Sequence, residues 1–480
     1  MPLAIGLDVG TTTITALAVD AASGEIVARS TRPNDAEITA PDGKVRGYSE
    51  WDASRIAAAA WAALGEMAAT LGPRARQAAA IGLTGQQHGV VLVDEQLSPL
   101  GPFINWQDRR AEGINPASGR TWLDEVRQAA GPTARQRTGC TLSAGYMGTT
   151  LAWLRANGRL PPGATACFLV DYLAALLTGQ RPVTDPTSAA SSGLFDVAKG
   201  EWDRSTIEAL NLPAEVFPKV ARGGAPLGPL SAARAAESGL PAGLPVCVGL
   251  GDNQAAFYGS VADLASSVLV NVGTGGQVAA FSPRFVYSER LETRPFPGGY
   301  LLVSAGLCGG RTYAILERFF RQTCAMAPGA GASGSLFEAM NRLAASVPPG
   351  AGGLRCEPLF TGTRSQPDLR ATFSGASAEN FTPAHVTRAL IEGMARIFRQ
   401  GYDEIASALG APRDKLIGAG NGLRENAVLA AAIASEFRMP LALCERREEA
   451  AFGAALSAAV GTGAIECRQA ALGWFRYSSS

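Results

Sequence analysis

Asp8-Val9-Gly10-Thr11-Thr12-Thr13 brings a carboxylate, a turn-forming glycine and a run of hydroxyls into one short segment. A polyphosphate needs those groups: backbone N–H donors at close approach, hydroxyl donors, and a carboxylate that holds a metal. Gly10 lets the turn come near a ligand, and the threonines offer hydroxyls. Asp8, at a strand end, can hold Mg²⁺, through water because that ion sheds its hydration reluctantly. Read alone, the segment fits an ordinary hairpin equally well. However, Asn271-Val272-Gly273-Thr274-Gly275-Gly276 repeats the Val-Gly-Thr centre much later in the chain. Two such turns can grip one phosphate chain from opposite sides. The repeat is wider than the turn: residues 6–20 and 268–282 both run apolar strand, Val-Gly-Thr, second strand. Unless the hairpins are alike by chance, this predicts two domains of similar build facing one cleft.

A third chemical feature is Gly249-Leu250-Gly251-Asp252-Asn253-Gln254, a carboxylate directly after an apolar strand. Asp252 can accept the proton of a hydroxyl that attacks a terminal phosphate. Phosphoryl transfer is loose and the proton leaves late, so positioning matters more than basicity. The competing role is to cap a helix over residues 254–260. Thr84-Gly85-Gln86-Gln87-His88-Gly89 and Asn105-Trp106-Gln107-Asp108-Arg109-Arg110 are dense in hydrogen-bonding groups beside apolar strands. Sugars need such groups for their hydroxyls and an aromatic ring for a C–H face. His88 also fits a structural histidine, and His385 reads as surface. Leu416-Ile417-Gly418-Ala419-Gly420-Asn421-Gly422-Leu423 ends a strand in a glycine-rich turn where a flat adenine ring can lie against backbone. Neither a Walker sequence nor a Gly-x-Gly-x-x-Gly opening a helix near the N-terminus is present, so P-loop and Rossmann readings fail.

These residues need a scaffold, and composition limits its kind. A chain of 480 residues exceeds one ordinary core. A composition shift over residues 223–243 places the expected boundary between domains 1–244 and 245–480. Hydrophobic residues are 47% and charged residues 18%, as in globular proteins. Disorder is expected only at Ser478, Ser479 and Ser480. Lys plus Arg and Asp plus Glu are both 42, which leaves no net field to collect polyanions and argues against nucleic acid. The most apolar stretches, 56–64 and 427–434, fall short of the ~20 residues a membrane span needs. With no leader ahead of Leu3-Ala4-Ile5-Gly6-Leu7, the expected location is the cytoplasm. The 8 cysteines, without a Cys-x-x-Cys pair, read as reduced and mostly buried, and 2 histidines exclude a multi-histidine zinc site.

The apolar patterning predicts an α/β fold. Strands are expected at 3–9, 11–19 and 25–30, then a polar loop around 41–47 and a helix at 55–71. Residues 80–83 and 89–94 read as strand, turn, strand. Further helices are expected at 148–157, 171–177 and 205–210, with a loop at 184–193. Residues 245–250, 267–272 and the stretch before Gly420 read as strands, followed by a helix at 426–437.

Taken in order, Gly6-Leu-Asp-Val-Gly-Thr-Thr12, Gly82-Leu-Thr-Gly-Gln-Gln-His-Gly89, Trp106-Gln-Asp-Arg-Arg110, Gly251-Asp-Asn-Gln254, Asn271-Val-Gly-Thr274 and Gly418-Ala-Gly-Asn421 resemble the FGGY carbohydrate kinases. The resemblance implies two ribonuclease-H-like, actin-like ATPase domains around a central cleft. It implies ATP and Mg²⁺, with Asp8 and Asp252 at the metal and Asp252 as the base. Thr11, Thr12, Thr13, Gly273 and Thr274 would serve the phosphates, and Gly309, Gly310, Gly420 and Asn421 would border the adenosine. Gln87, His88, Trp106, Asp108, Asp252 and Asn253 would face the sugar. The expected partners are therefore a small sugar and ATP, with neither nucleic acid nor membrane, and the chain acting as a monomer or homodimer. Within the family, Pro41-Asp-Gly-Lys44, Glu50-Trp-Asp-Ala-Ser-Arg-Ile56, Cys308-Gly-Gly-Arg311, Pro358-Leu-Phe-Thr-Gly-Thr-Arg-Ser-Gln-Pro-Asp368 and His385-Val-Thr-Arg-Ala-Leu390 are similar to sedoheptulokinases. Xylulokinases share the Gly-Gln-x-His pattern and remain the alternative. Gln87 stands where those ketose kinases carry Met, and Thr15 where many members carry Lys or Arg. A non-catalytic sugar or nucleotide sensor on the same fold is the reading from another class; the presence of both Asp8 and Asp252 argues against it.

Overall fold

The computed structural model describes residues 2–326, 334–362 and 368–479. Residues 363–367 of the 358–368 segment and Ser480 lie outside the described residues. The chain divides into two compact units. The first comprises Met1–Ala262, Thr293–Tyr300 and Glu448–Phe475; the second comprises Asp263–Glu292, Leu301–Arg447 and Arg476–Ser480.

In the first unit, β1 (Leu3–Val9) and β2 (Thr13–Asp20) form the expected hairpin, and β3 (Ile26–Pro33) extends it. The helix α1 (Ala53–Leu71) starts where Asp52 accepts the N–H groups of Ser54 and Arg55. Its Ile56, Ala60, Leu64 and Met67 face is buried under β2 and β3. Next comes β4 (Ala78–Gly85), which lies parallel to β1. Val91–Val93 is a strand inside the expected 89–94, and it pairs with Thr165–Cys167. Two expected loops hold short helices: Pro41–Val45, and α2 (Pro186–Ala190) capped by Asp185. Pro at the first helical position suits both starts, because its missing N–H has no intrahelical partner there.

Strands β5 (Pro226–Pro229), β6 (Pro245–Cys247) and β7 (Leu250–Gly251) complete a mixed sheet of order β5-β6-β4-β1-β2-β3, with β7 also paired to β4. This moves the boundary expected after residue 244. Because β6 and β7 pair with β4, and α3 (Asp252–Ser260) follows β7 directly, Asp252 belongs to the same unit as Asp8.

The second unit echoes the first. Its β8 (Ser267–Val272) pairs antiparallel with β9 (Gly276–Ser282). Next in the chain come β10 (Glu292–Phe296), most of which counts with the first unit, and β11 (Gly299–Leu307), then α4 (Gly310–Cys324) and the long α5 (Pro383–Leu409). β12 (Lys415–Ala419) lies parallel to β8. So β8 stands between β9 and β12 as β1 stands between β2 and β4. The similarity of residues 6–20 and 268–282 is one of topology. α6 (Ala427–Phe437) leads to β13 (Leu441–Cys444), and β14 (Tyr477–Ser479) closes the sheet order β10-β11-β9-β8-β12-β13-β14. Ser478 and Ser479, expected to be disordered, pair with Leu443 and Ala442, so ladder hydrogen bonds fix them.

Before that last strand the chain returns to the first unit as α7 (Glu449–Gly461), which packs on β1, β4 and α3. Glycine makes the approach possible. A Cβ at Gly6 would lie 1.9 Å from the Ala451 carbonyl oxygen, and one at Gly82 would lie 2.0 Å from that of Ala454. Backbone therefore rests on backbone along this seam. Gly82→Val should lower stability by about 3 kcal/mol or more, read as a reduced thermal midpoint; an unchanged midpoint would contradict this account of the seam.

Candidate active site

The strand ends that meet around β4 set the site. Asp8 is paired with Thr84 across β1 and β4, while Leu250 and Gly251 of β7 pair with Thr84 and Gly85. Asp252 is the next residue and opens α3. Two carboxylates thus flank the C-terminal end of one central strand, the place where open α/β sheets bind ligands. Thr84 Oγ1 donates to the Leu250 carbonyl at 2.9 Å and ties the strands together there.

Their electrostatics are unusual. Burial, followed by the negative charges of Asp252, Glu448 and Glu449, pushes Asp8 up to about 7. Its Oδ1 is buried and has no hydrogen-bond partner among the described residues. Burial likewise pushes Asp252 up to about 6, against the downward pull of the Asn253 N–H and the Arg294 guanidinium. Asp252 Oδ1 accepts the Asn253 N–H at 2.7 Å. An orphaned buried oxygen beside like charges suits a divalent cation. No group of three or more His, Cys, Asp and Glu side chains among the described residues is placed to hold a metal alone. That fits Mg²⁺, which takes one or two carboxylates and completes its shell with water and phosphate.

Around the carboxylates, the predicted residues separate into distinct roles. Trp106 is 38% exposed, and its Nε1 donates to Thr11 Oγ1 at 2.9 Å. Thr11 in turn donates to Gln86 Oε1 at 3.3 Å. The one hydroxyl proton of Thr11 is therefore engaged, whereas Thr12 and Thr13 are exposed. Gln87 is buried, with Nε2 donating to the Thr187 carbonyl at 2.9 Å and Oε1 accepting from Asn253 Nδ2 at 3.4 Å. His88 stacks on Tyr146 at 4.2 Å with planes 5° apart. Its Nδ1 lies 2.8 Å from the Ser191 carbonyl and so carries a proton. Asp108 departs from the expected sugar contact. It is fully buried, and both its oxygens are taken, by the Ser49 and Arg110 N–H groups and the Arg110 guanidinium. Asp108 thus fixes the Trp106 loop. Thr15, where a cation was the commoner expectation, is buried against Thr31 at 3.1 Å between hydroxyls.

The second unit contains a pocket of about 620 Å³, within the range of ligand sites. Gly273, Thr274, Gly310 and Asn421 are among the residues that line it. Gly309 caps α4, and a Cβ there would lie 2.4 Å from Gly275, so it holds the phosphate-type turn against the helix start. Gly420 has φ 89°, and a Cβ would meet the Val272 carbonyl oxygen at 2.4 Å. The sequence reading missed Tyr313, Phe337, Asn341 and Asn426, which also line the pocket. Tyr313 stacks on Phe337 at 5.7 Å and donates to Asn341 Oδ1 at 2.6 Å. Phe337 and Asn341 share one helix, Tyr313 lies on α4 and Asn426 caps α6, and no local pattern in the sequence joins them.

Residues 3–259 match the N-terminal domain of the FGGY family of carbohydrate kinases, and residues 268–462 match its C-terminal domain. The chain belongs to this family. A glycerol kinase of Gloeobacter violaceus is 29% identical over 473 residues, covering 96% of this chain and 88% of that protein. The sedoheptulokinase of Homo sapiens is 26% identical over 505 residues, covering 98% of each. The crystal structure of xylulose kinase from Rhodospirillum rubrum superposes with a TM-score of 0.86 at 28% identity, covering 100% of this chain and 94% of that one. The FGGY kinase fold, two α/β domains with mixed sheets, is thus present here. Among the described residues no helix is long and apolar enough to cross a membrane.

The raised carboxyls of this FGGY kinase have a consequence for stability. An acid whose folded value lies near 7 and whose unfolded value is near 3.8 binds its proton more tightly when folded. Its contribution is full below the unfolded value and is lost as pH rises to about 7, a change on the order of 2–4 kcal/mol. In metal-free buffer, the urea midpoint of the wild type should therefore fall as pH rises from about 4 to about 7. The slope should be shallower for Asp8→Asn; identical slopes would remove Asp8 as the source.

Proposed function

We propose that this kinase transfers the γ-phosphate of ATP to a primary hydroxyl of a ketose, with sedoheptulose as the preferred acceptor. The observation that carries the reading is the pair of raised, buried carboxylates Asp8 and Asp252 at the end of one strand. Asp252 takes the acceptor proton at its carboxylate as the hydroxyl attacks. Asn253 and Arg294 keep enough of that carboxylate ionised. Asp8, through water, and Asp252 would hold Mg²⁺, which when bound neutralises the charge that develops on the phosphates. In the second unit the Gly273–Thr274 turn offers phosphate donors, and in the first the exposed Thr12 and Thr13 offer hydroxyls. The purine enters the pocket bordered by Tyr313, Asn341 and Asn421. Trp106 presents its ring to a C–H face of the sugar, and Gln87, His88 and Asn253 face its hydroxyls.

Sedoheptulose is favoured by the segments around Pro41, Glu50 and Cys308 and by the end-to-end match to the human sedoheptulokinase. Xylulose is the second reading, favoured by the match in fold to the bacterial xylulose kinase. Turnover measured with sedoheptulose, xylulose, ribulose and glycerol decides between them. The account expects the highest kcat/KM with sedoheptulose, and a larger value with any other acceptor overturns that choice.

Asp252→Asn should fold, bind nucleotide with unchanged affinity, and lose about 10²–10⁴-fold in kcat. Because burial raises Asp252 to about 6, wild-type kcat/KM should fall as pH drops below about 6, instead of holding to the ordinary carboxylate range. Turnover by the variant within tenfold of wild type would remove Asp252 as the base.

A further inference from the structure

Helix α2 and the residue that follows it touch two predicted site residues, Gln87 and His88, and the glycine before a third, Asp252. Through its carbonyl Thr187 holds Gln87, and through its hydroxyl it accepts the Gly251 N–H at 2.8 Å. One turn on, Ser191 accepts the His88 N–H at 3.2 Å and the His88 Nδ1 proton at 2.8 Å. Gly251 is the residue immediately before Asp252, so the orientation of its peptide sets where that side chain starts.

The Thr187 hydroxyl has a fixed polarity. Asp185, 1% exposed, accepts the Thr187 Oγ1 proton at 2.8 Å, together with the N–H groups of Thr187 and Ser188 at 3.1 Å and 2.9 Å. Having given its only proton to Asp185, the hydroxyl presents lone pairs to Gly251. Thr187 is itself 3% exposed, so water has little access to replace it. Nothing in the phosphate or nucleotide chemistry calls for this arrangement.

We propose that Thr187, oriented by Asp185, is a positioning residue that fixes the Asp252 carboxylate through the Gly251 peptide. The inference rests on Asp252 acting as the base. Removing the hydroxyl leaves a buried N–H unpaired and frees the turn to move. A displacement of about 1 Å at a reacting group costs on the order of 10²-fold in rate. The Gln87 bond uses the Thr187 carbonyl, so a side-chain change at Thr187 leaves it in place.

The test is steady-state kinetics of Thr187→Val, which keeps shape and loses the hydroxyl, beside Thr187→Ser, which keeps the hydroxyl and loses a methyl. Thr187→Val should lower kcat about 10- to 100-fold with KM for ATP unchanged, and Thr187→Ser should recover to within about threefold. A packing role alone predicts the reverse order, since Ser is the smaller side chain. Combined with Asp252→Asn, Thr187→Val should cost nothing further. Should Thr187→Val not fold, Asp185→Asn serves instead: its amide cannot accept from every Asp185 donor, so it should show the same loss confined to kcat. Full kcat in Thr187→Val, or equal losses in the Val and Ser variants, overturns the proposal while leaving the base assignment intact. Full turnover by Asp252→Asn would instead sink the assignment on which it rests.

Discussion

Helix α7 lies backbone to backbone on β1, β4 and α3, and this contact holds two carboxylates where neither charge is comfortable. At Gly6 and Gly82 there is no room for a side chain between strand and helix. On the α3 side, a Cβ at Gly453 would lie 1.9 Å from the Ala255 carbonyl oxygen. The strands and α3 are therefore clamped to one rigid helix. Asp8 and Asp252 sit at the ends of what is clamped, and separating them would mean opening the seam. Their weakened acidity follows directly from burial, to which the nearby negative charges add at Asp8. A divalent cation held there would offset the crowded negative charge.

A web of hydrogen bonds carries this rigidity outward. Asp108 and Arg110 lock the Trp106 loop, Trp106 reaches Thr11, and Thr11 reaches Gln86. Gln87, Asn253 and Thr187 join the loop of residues 86–89 to the turn that bears Asp252. The residues proposed to meet the sugar and the residue proposed to take its proton are thus parts of one network. The second unit has its own logic: glycines press the Gly273–Thr274 turn against the start of α4, leaving the adjoining pocket to be walled by side chains from several helices.

Much of this was legible in the sequence, for identifiable reasons. The β1–β2 hairpin, α1 and the paired Val-Gly-Thr turns are local patterns, and periodicity and turn residues encode such patterns directly. The carboxylates at Asp8 and Asp252 were visible because each ends an apolar strand. Pairing between distant segments was not visible. Val91–Val93 reads as a strand, yet no nearby residue announces that its partner is Thr165–Cys167. Pro245–Cys247 follows a glycine-rich stretch and reads as the start of a domain, but its partner is β4. Asp108 sits in a hydrogen-bonding motif, and only the three-dimensional position of Ser49 and Arg110 reveals that its oxygens are already occupied. Tyr313 and Asn341 are ordinary helix residues until folding brings them to one wall.

Mn²⁺ titrated into the protein saturated with a non-hydrolysable ATP analogue, and followed by electron paramagnetic resonance, tests most directly whether the crowded carboxylates hold a cation. Wild type should bind one ion per nucleotide, and Asp8→Asn should loosen that ion at least about tenfold while still binding the analogue. Equal Mn²⁺ affinity in the two proteins would contradict the account.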